Sequence, residues 1–161
     1  MRAARRFAAL LCLLAAPAAH SHPAPNSLLR LDFQPDAVHA EYWLPVSELA
    51  HARAAEPADA DFPAYLLRHV AAQTRAGKPW RVTVLAVRET TYLDHAYLVA
   101  DLRLIPPARE PVREFVLIED AVTHEVRNHV LYVVERQGAG NVVLGALQYP
   151  ARQLEILAPT R

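Results

Sequence analysis

Asp120, His124 and His129 lie close together between two apolar runs, Phe115 to Ile118 and Val130 to Val134. Two imidazoles and a carboxylate make a donor set for nickel, copper, cobalt or zinc. If the flanking runs are neighbouring strands, a compact loop sets Asp120 beside His129, with His124 above them. The same spacing also fits a capped loop with two polar histidines. A fourth candidate is His22. Cleavage after Ser21 would make it the first residue of the mature chain, with a free α-amine of pKa about 8. Amine and imidazole of one residue can chelate a single ion. With His124 or His129 they would build a nitrogen-rich site suited to Cu(II) or Ni(II). Pro23 and Pro25 would stiffen that terminus.

Past the processing site, where His20 also lies, the remaining histidines, His39, His51, His69 and His95, show no such grouping. His69 falls beside apolar positions of a helical pattern and reads as packed. Trp43 and Trp80 read as core or rim aromatics. No G-x-S-x-G, H-E-x-x-H or phosphate-loop pattern is present. Glu119 and Asp120 are adjacent, so on a strand they point to opposite faces and make no acid–base dyad. A non-enzymatic protein is the expectation. A copper-dependent oxidase using a terminal histidine is the alternative, but the sequence displays no flat aromatic surface for a substrate.

The elements that must position these residues read mostly as strands. Leu28 to Phe33 and Val38 to Leu44 alternate around the turn Gln34-Pro35-Asp36 and predict a hairpin. Ser47 or Glu48 opens a short helix through Arg53. Asp61 caps a second helix with Pro63 in its first turn, and helical spacing carries it to Arg75. Trp80 to Tyr92, Tyr97 to Ile105, Phe115 to Ile118, His129 to Glu135 and Val142 to Tyr149 follow as strands, with Leu154 to Leu157 as a last edge. Trp80, Val82, Val84, Ala86 and Arg88 are expected on one face. Phe115 to Ile118, a continuous apolar run, reads as buried on both faces. Gly138-Ala139-Gly140 reads as a hairpin turn. Seven or eight short strands with one inserted helical segment predict a mainly β protein, an immunoglobulin-like β-sandwich, with an α+β roll as runner-up.

The start has the zones of a secretory signal peptide over residues 1–21. Arg2, Arg5 and Arg6 precede an apolar run from Phe7 to Ala16, about half of what a bilayer span needs. Small residues follow, up to Ser21. Residues 22–161 then form one extracytoplasmic domain, periplasmic or secreted. The only cysteine, Cys12, sits in the apolar run, so the mature domain has no disulfide and must rest on its core. The formal net charge is zero for the whole chain and weakly acidic without the three leader arginines. No basic stripe calls for nucleic acid, and no later apolar run is long enough to span a membrane.

Several blocks carry a resemblance: His22-Pro23-Ala24-Pro25-Asn26-Ser27 with Leu31-Asp32, Ala40 to Leu49, Tyr65 to Val70, Gly77 to Trp80, and Asp120 to His124 with His129. In this order they resemble the extracytoplasmic N-terminal domain of HupE/UreJ-like membrane proteins. The resemblance implies a domain tied to a metal-related permease, often a nickel one, ahead of a multi-helix membrane region. That region does not occur in this sequence, so the expectation is either a stand-alone or truncated relative or a membrane part encoded by a neighbouring gene, with a membrane protein as the partner. The leading expectation is a periplasmic domain that binds or delivers Ni or Cu for a membrane permease. The alternative is a metal-free interaction module that docks a membrane protein.

Overall fold

The structure is a computed structural model that describes residues 25–54 and 61–159. The expected signal peptide and His22 lie outside the described residues. Alternating apolar residues build the first hairpin. In β1 (Ser27–Phe33), Leu29 and Leu31 are buried, and in β2 (Val38–Pro45), Val38, Ala40, Tyr42 and Leu44 are buried. The two pair antiparallel from Leu28↔Trp43 to Phe33↔Val38. Helix α1 (Val46–Arg53) follows, then α2 (Phe62–His69), β3 (Val70–Gln73), β4 (Arg81–Tyr92) and β5 (His95–Ile105). The chain ends through β6 (Glu114–Glu119), β7 (Val130–Gln137), β8 (Gly140–Gln148) and β9 (Gln153–Leu157).

The fold is mainly β, in two sheets. One has six strands in the order β4-β5-β2-β1-β7-β8, and the other has three, β3-β6-β9. β1 and β7 run parallel, and the other pairs are antiparallel. The inward residues of both sheets meet in one core. Leu29, Leu31, Tyr42, Leu102 and Leu131 of the large sheet pack with Phe115, Leu117 and Ile156 of the small one, and Tyr65 and Leu66 of α2 join them. Such burial of apolar area is the main stabilising term in a chain without disulfides. The β7–β8 hairpin turns through Gly138 and Ala139, where Gly138 has φ +57°. A positive φ at a hairpin turn favours glycine.

Four sequence expectations are corrected. The second helix stops at His69 instead of reaching Arg75. Val70 is extended at φ −122° and ψ 118°, and Val70–Gln73 pairs with β6. Short helical preference loses there to an available strand partner. Next, β6 and β7 are not neighbours. Both sides of β6 are taken, by β3 and β9, so the chain crosses from the small sheet to the large one between residues 119 and 130. β6 also alternates, with Phe115, Leu117 and Glu119 as its buried residues. Finally, β4 does not keep one face throughout. A bulge between Val84 and Ala86 shifts its register and leaves Leu85 exposed.

Candidate metal centre

The β3–β6 ladder builds the site. Val70 faces Glu119 across an antiparallel pair, so the next rung sets His69 opposite Asp120. The Asp120 backbone N–H donates to the His69 carbonyl at 3.2 Å, which extends the ladder into the helix end. The His69 Nδ1 lies 2.8 Å from the Asp120 Oδ1. Beyond Asp120 the chain makes a helical turn: the His124 N–H donates to the Asp120 carbonyl at 3.2 Å, and the Val126 N–H to the Val122 carbonyl at 2.9 Å. Residues four apart on such a turn stand one above the other. The His124 ring therefore stacks on His69, with centroids 4.5 Å apart and planes 19° apart. The Tyr65 ring lies 4.6 Å from His69 and 6.4 Å from His124. Ligand atoms of His69, Asp120 and His124 all lie within 4.8 Å of one another.

Hydrogen bonding sets the tautomers. The His124 Nδ1 is 2.7 Å from the Asp120 carbonyl oxygen. A carbonyl oxygen only accepts, so that Nδ1 carries the proton and the lone pair sits on Nε2. A carboxylate likewise only accepts, so the His69 Nδ1 donates to Asp120 and its lone pair also sits on Nε2. One residue thus orients both imidazoles, through its side chain and its backbone. This is the outer-shell arrangement typical of metal-bound histidines. The other carboxylate oxygen, Oδ2, pairs with Arg152 at 3.1 Å.

The loop is anchored from beneath. The buried Glu119 carboxylate accepts from the Ala121 N–H at 2.7 Å and from the Tyr42 hydroxyl. Burial pushes its pKa up to about 7 against those two hydrogen bonds, and the Asp120 charge adds to the rise. Burial beside Glu119 holds the Tyr42 phenol well above its ordinary value, so it stays a donor. The Tyr65 hydroxyl donates to the Ala121 carbonyl.

The structure brings together two of the four expected ligands, Asp120 and His124, and adds His69. His129 is engaged elsewhere. It is 2 % exposed, and its Nε2 accepts from the Ser27 N–H at 3.2 Å and faces the Ser27 Oγ at 2.8 Å. Burial lowers its pKa to about 4, so the ring is neutral. It fastens the start of β1 to the end of the crossing loop. The physical reason is the sheet assignment: a loop that changes sheets does not bring its two ends onto adjacent strands. His69, which its helical spacing marks as a packed residue, is the candidate ligand the sequence pattern misses, because the helix ends there and a strand begins. With β3 read as a strand opposite β6, the register alone would have placed His69 against Asp120.

Two imidazole Nε2 atoms, their rings held by Asp120, suit a borderline divalent ion such as Ni(II), Cu(II) or Zn(II). Metal–nitrogen bonds are about 2 Å long, so two ligand nitrogens on one ion stand at most about 4 Å apart. The ring planes are nearly parallel, and capture of an ion requires the two Nε2 atoms to converge on one point. No family model matches the chain, and no curated protein matches it.

Proposed function

We propose that this chain is an extracytoplasmic, non-enzymatic domain that binds a divalent transition metal through His69 and His124, with Asp120 holding both rings. One observation carries the reading: a single aspartate fixes two histidines, which come from a helix end and a separate loop, in the tautomer a metal needs. The arginine-led apolar start followed by small residues supports export. The resemblance to the domains of HupE/UreJ-like proteins points to nickel as the cargo and to a membrane permease as the recipient, and the nitrogen donors suit copper as well. His22, should it begin the mature chain, supplies further nitrogen donors.

Titration calorimetry with NiCl2 and CuSO4 tests the proposal. The wild-type protein binds one equivalent, and the His69→Ala, His124→Ala double variant binds none while keeping the wild-type far-UV spectrum. Undiminished binding in the folded double variant overturns the assignment.

A further inference from the structure

We propose that the outer face of the six-stranded sheet carries a second, independent site, for a neutral carbohydrate. A cavity of about 330 Å³ opens on that face. Its walls include Trp43, Tyr92, Tyr97 and Tyr132, and Asn26 and Asn141 also line it. The aromatic residues come from four different strands, β2, β4, β5 and β7. Register explains why some of them meet. Tyr132 faces Leu28 across β7–β1, and Leu28 faces Trp43 across β1–β2, so the three form one lateral row. The Trp43 ring meets Tyr92 and Tyr97 edge-on, at centroid distances of 6.4 and 6.0 Å and angles of 76° and 66°. Crossed rings give a concave wall. Tyr132 is 43 % exposed and Tyr92 56 % exposed, so large aromatic surfaces remain in contact with solvent.

The chemistry of the lining selects the ligand. Among the described residues, Arg30 is the one charged residue lining the cavity, and its guanidinium is ion-paired with Glu41. No unpaired charge is left to recruit an ion. The Trp43 indole N–H and the Arg30 Nε–H are buried donors without a hydrogen-bond partner among the described residues. Two side-chain amides supply both donors and acceptors. The strands behind the cavity, β1, β2, β5 and β7, are interior, and their backbone groups are engaged in ladders on both sides. The edge strands reach the cavity only at its rim, through Tyr92 of β4 and Asn141 of β8, so across the floor an extended peptide finds no sheet edge to pair with. Recognition must come from ring faces and side-chain hydrogen bonds. A pyranose offers both, with apolar C–H faces for the aromatic rings and hydroxyls for the two side-chain amides.

Calorimetry of the purified protein with chitotetraose, cellotetraose and maltotetraose tests this. At least one of them should give saturable binding, followed in parallel by tryptophan fluorescence. Trp43→Ala removes the central ring of the wall, and Tyr132→Ala removes a surface ring without touching the core. Each should weaken binding about tenfold or more, equivalent to about 1.4 kcal/mol, while Tyr149→Ala leaves it unchanged. Absence of saturable binding to all three sugars at about 10 mM overturns the proposal. So does binding that Tyr132→Ala does not weaken. A proline-rich peptide that binds in a Trp43-dependent way, where the sugars do not, also overturns it and makes the cavity a protein-docking site.

Discussion

Asp120 does two jobs at once, and that makes it the most informative single residue. Its carboxylate accepts from His69 and its backbone carbonyl from His124. Removing the carboxylate frees the His69 ring but leaves the backbone bond to His124. Asp120→Ala should therefore weaken metal affinity about 10–100-fold, the usual effect of losing an outer-shell partner. Calorimetry measures it, and an unchanged affinity would show that Asp120 does not orient the site. His129 governs a different property. Its folded pKa is about 4, below the 6.5 of a free histidine. Between those values the unfolded chain takes up a proton that the native chain refuses. The stability contribution is thus complete above pH 6.5 and is lost as pH falls toward 4, by about 3 kcal/mol in all. Glu119 works in the opposite sense: its raised pKa favours the native state at low pH and gives that advantage up as pH rises from 4.5 toward 7. Urea unfolding at pH 7 and pH 5 separates the two. His129→Asn should remove the acid-side loss and leave the Glu119 slope, and parallel curves for wild type and variant would contradict the assignment.

At the scale of elements, the junction between α2 and β3 decides where the site forms. The Asp61 carboxylate accepts from the Ala64 N–H at 2.7 Å and caps α2, as the sequence Asp61-Phe62-Pro63 announces. Asp61→Ala should lower stability by about 1 kcal/mol, measured by chemical denaturation. It acts at the far end of the helix from His69, so metal affinity should hold once the protein is folded. Alternating apolar residues made β1, β2, β5 and β7 legible, because one face of each is buried and period two is a strong signal. Val70-Ala71-Ala72-Gln73 carried no such signal. Two alanines fit a helix as well as a strand, and only the pairing with β6 settles the matter. Asp120 and His124 were legible as candidates by residue type. His69 was not, because its role follows from that register. The aromatic face escaped for the same kind of reason: Trp43, Tyr92, Tyr97 and Tyr132 are spread over 90 residues of sequence and meet only through strand order.

As a whole molecule, the two sheets divide the work. The small sheet, with its helix and crossing loop, holds the histidine pair, and the large sheet turns its aromatic outer face away from the core. The histidine pair rests on loop anchors that reach into that core through Tyr42 and Tyr65. Metal binding should therefore stabilise the domain by mass action, since the unfolded chain has no preformed site. The most direct measurement is electron paramagnetic resonance of the protein with one equivalent of Cu(II). The wild-type spectrum should show nitrogen couplings from two imidazoles, and His69→Ala and His124→Ala should each remove one. A spectrum without imidazole couplings, or one that neither substitution changes, would contradict a metal centre at His69 and His124.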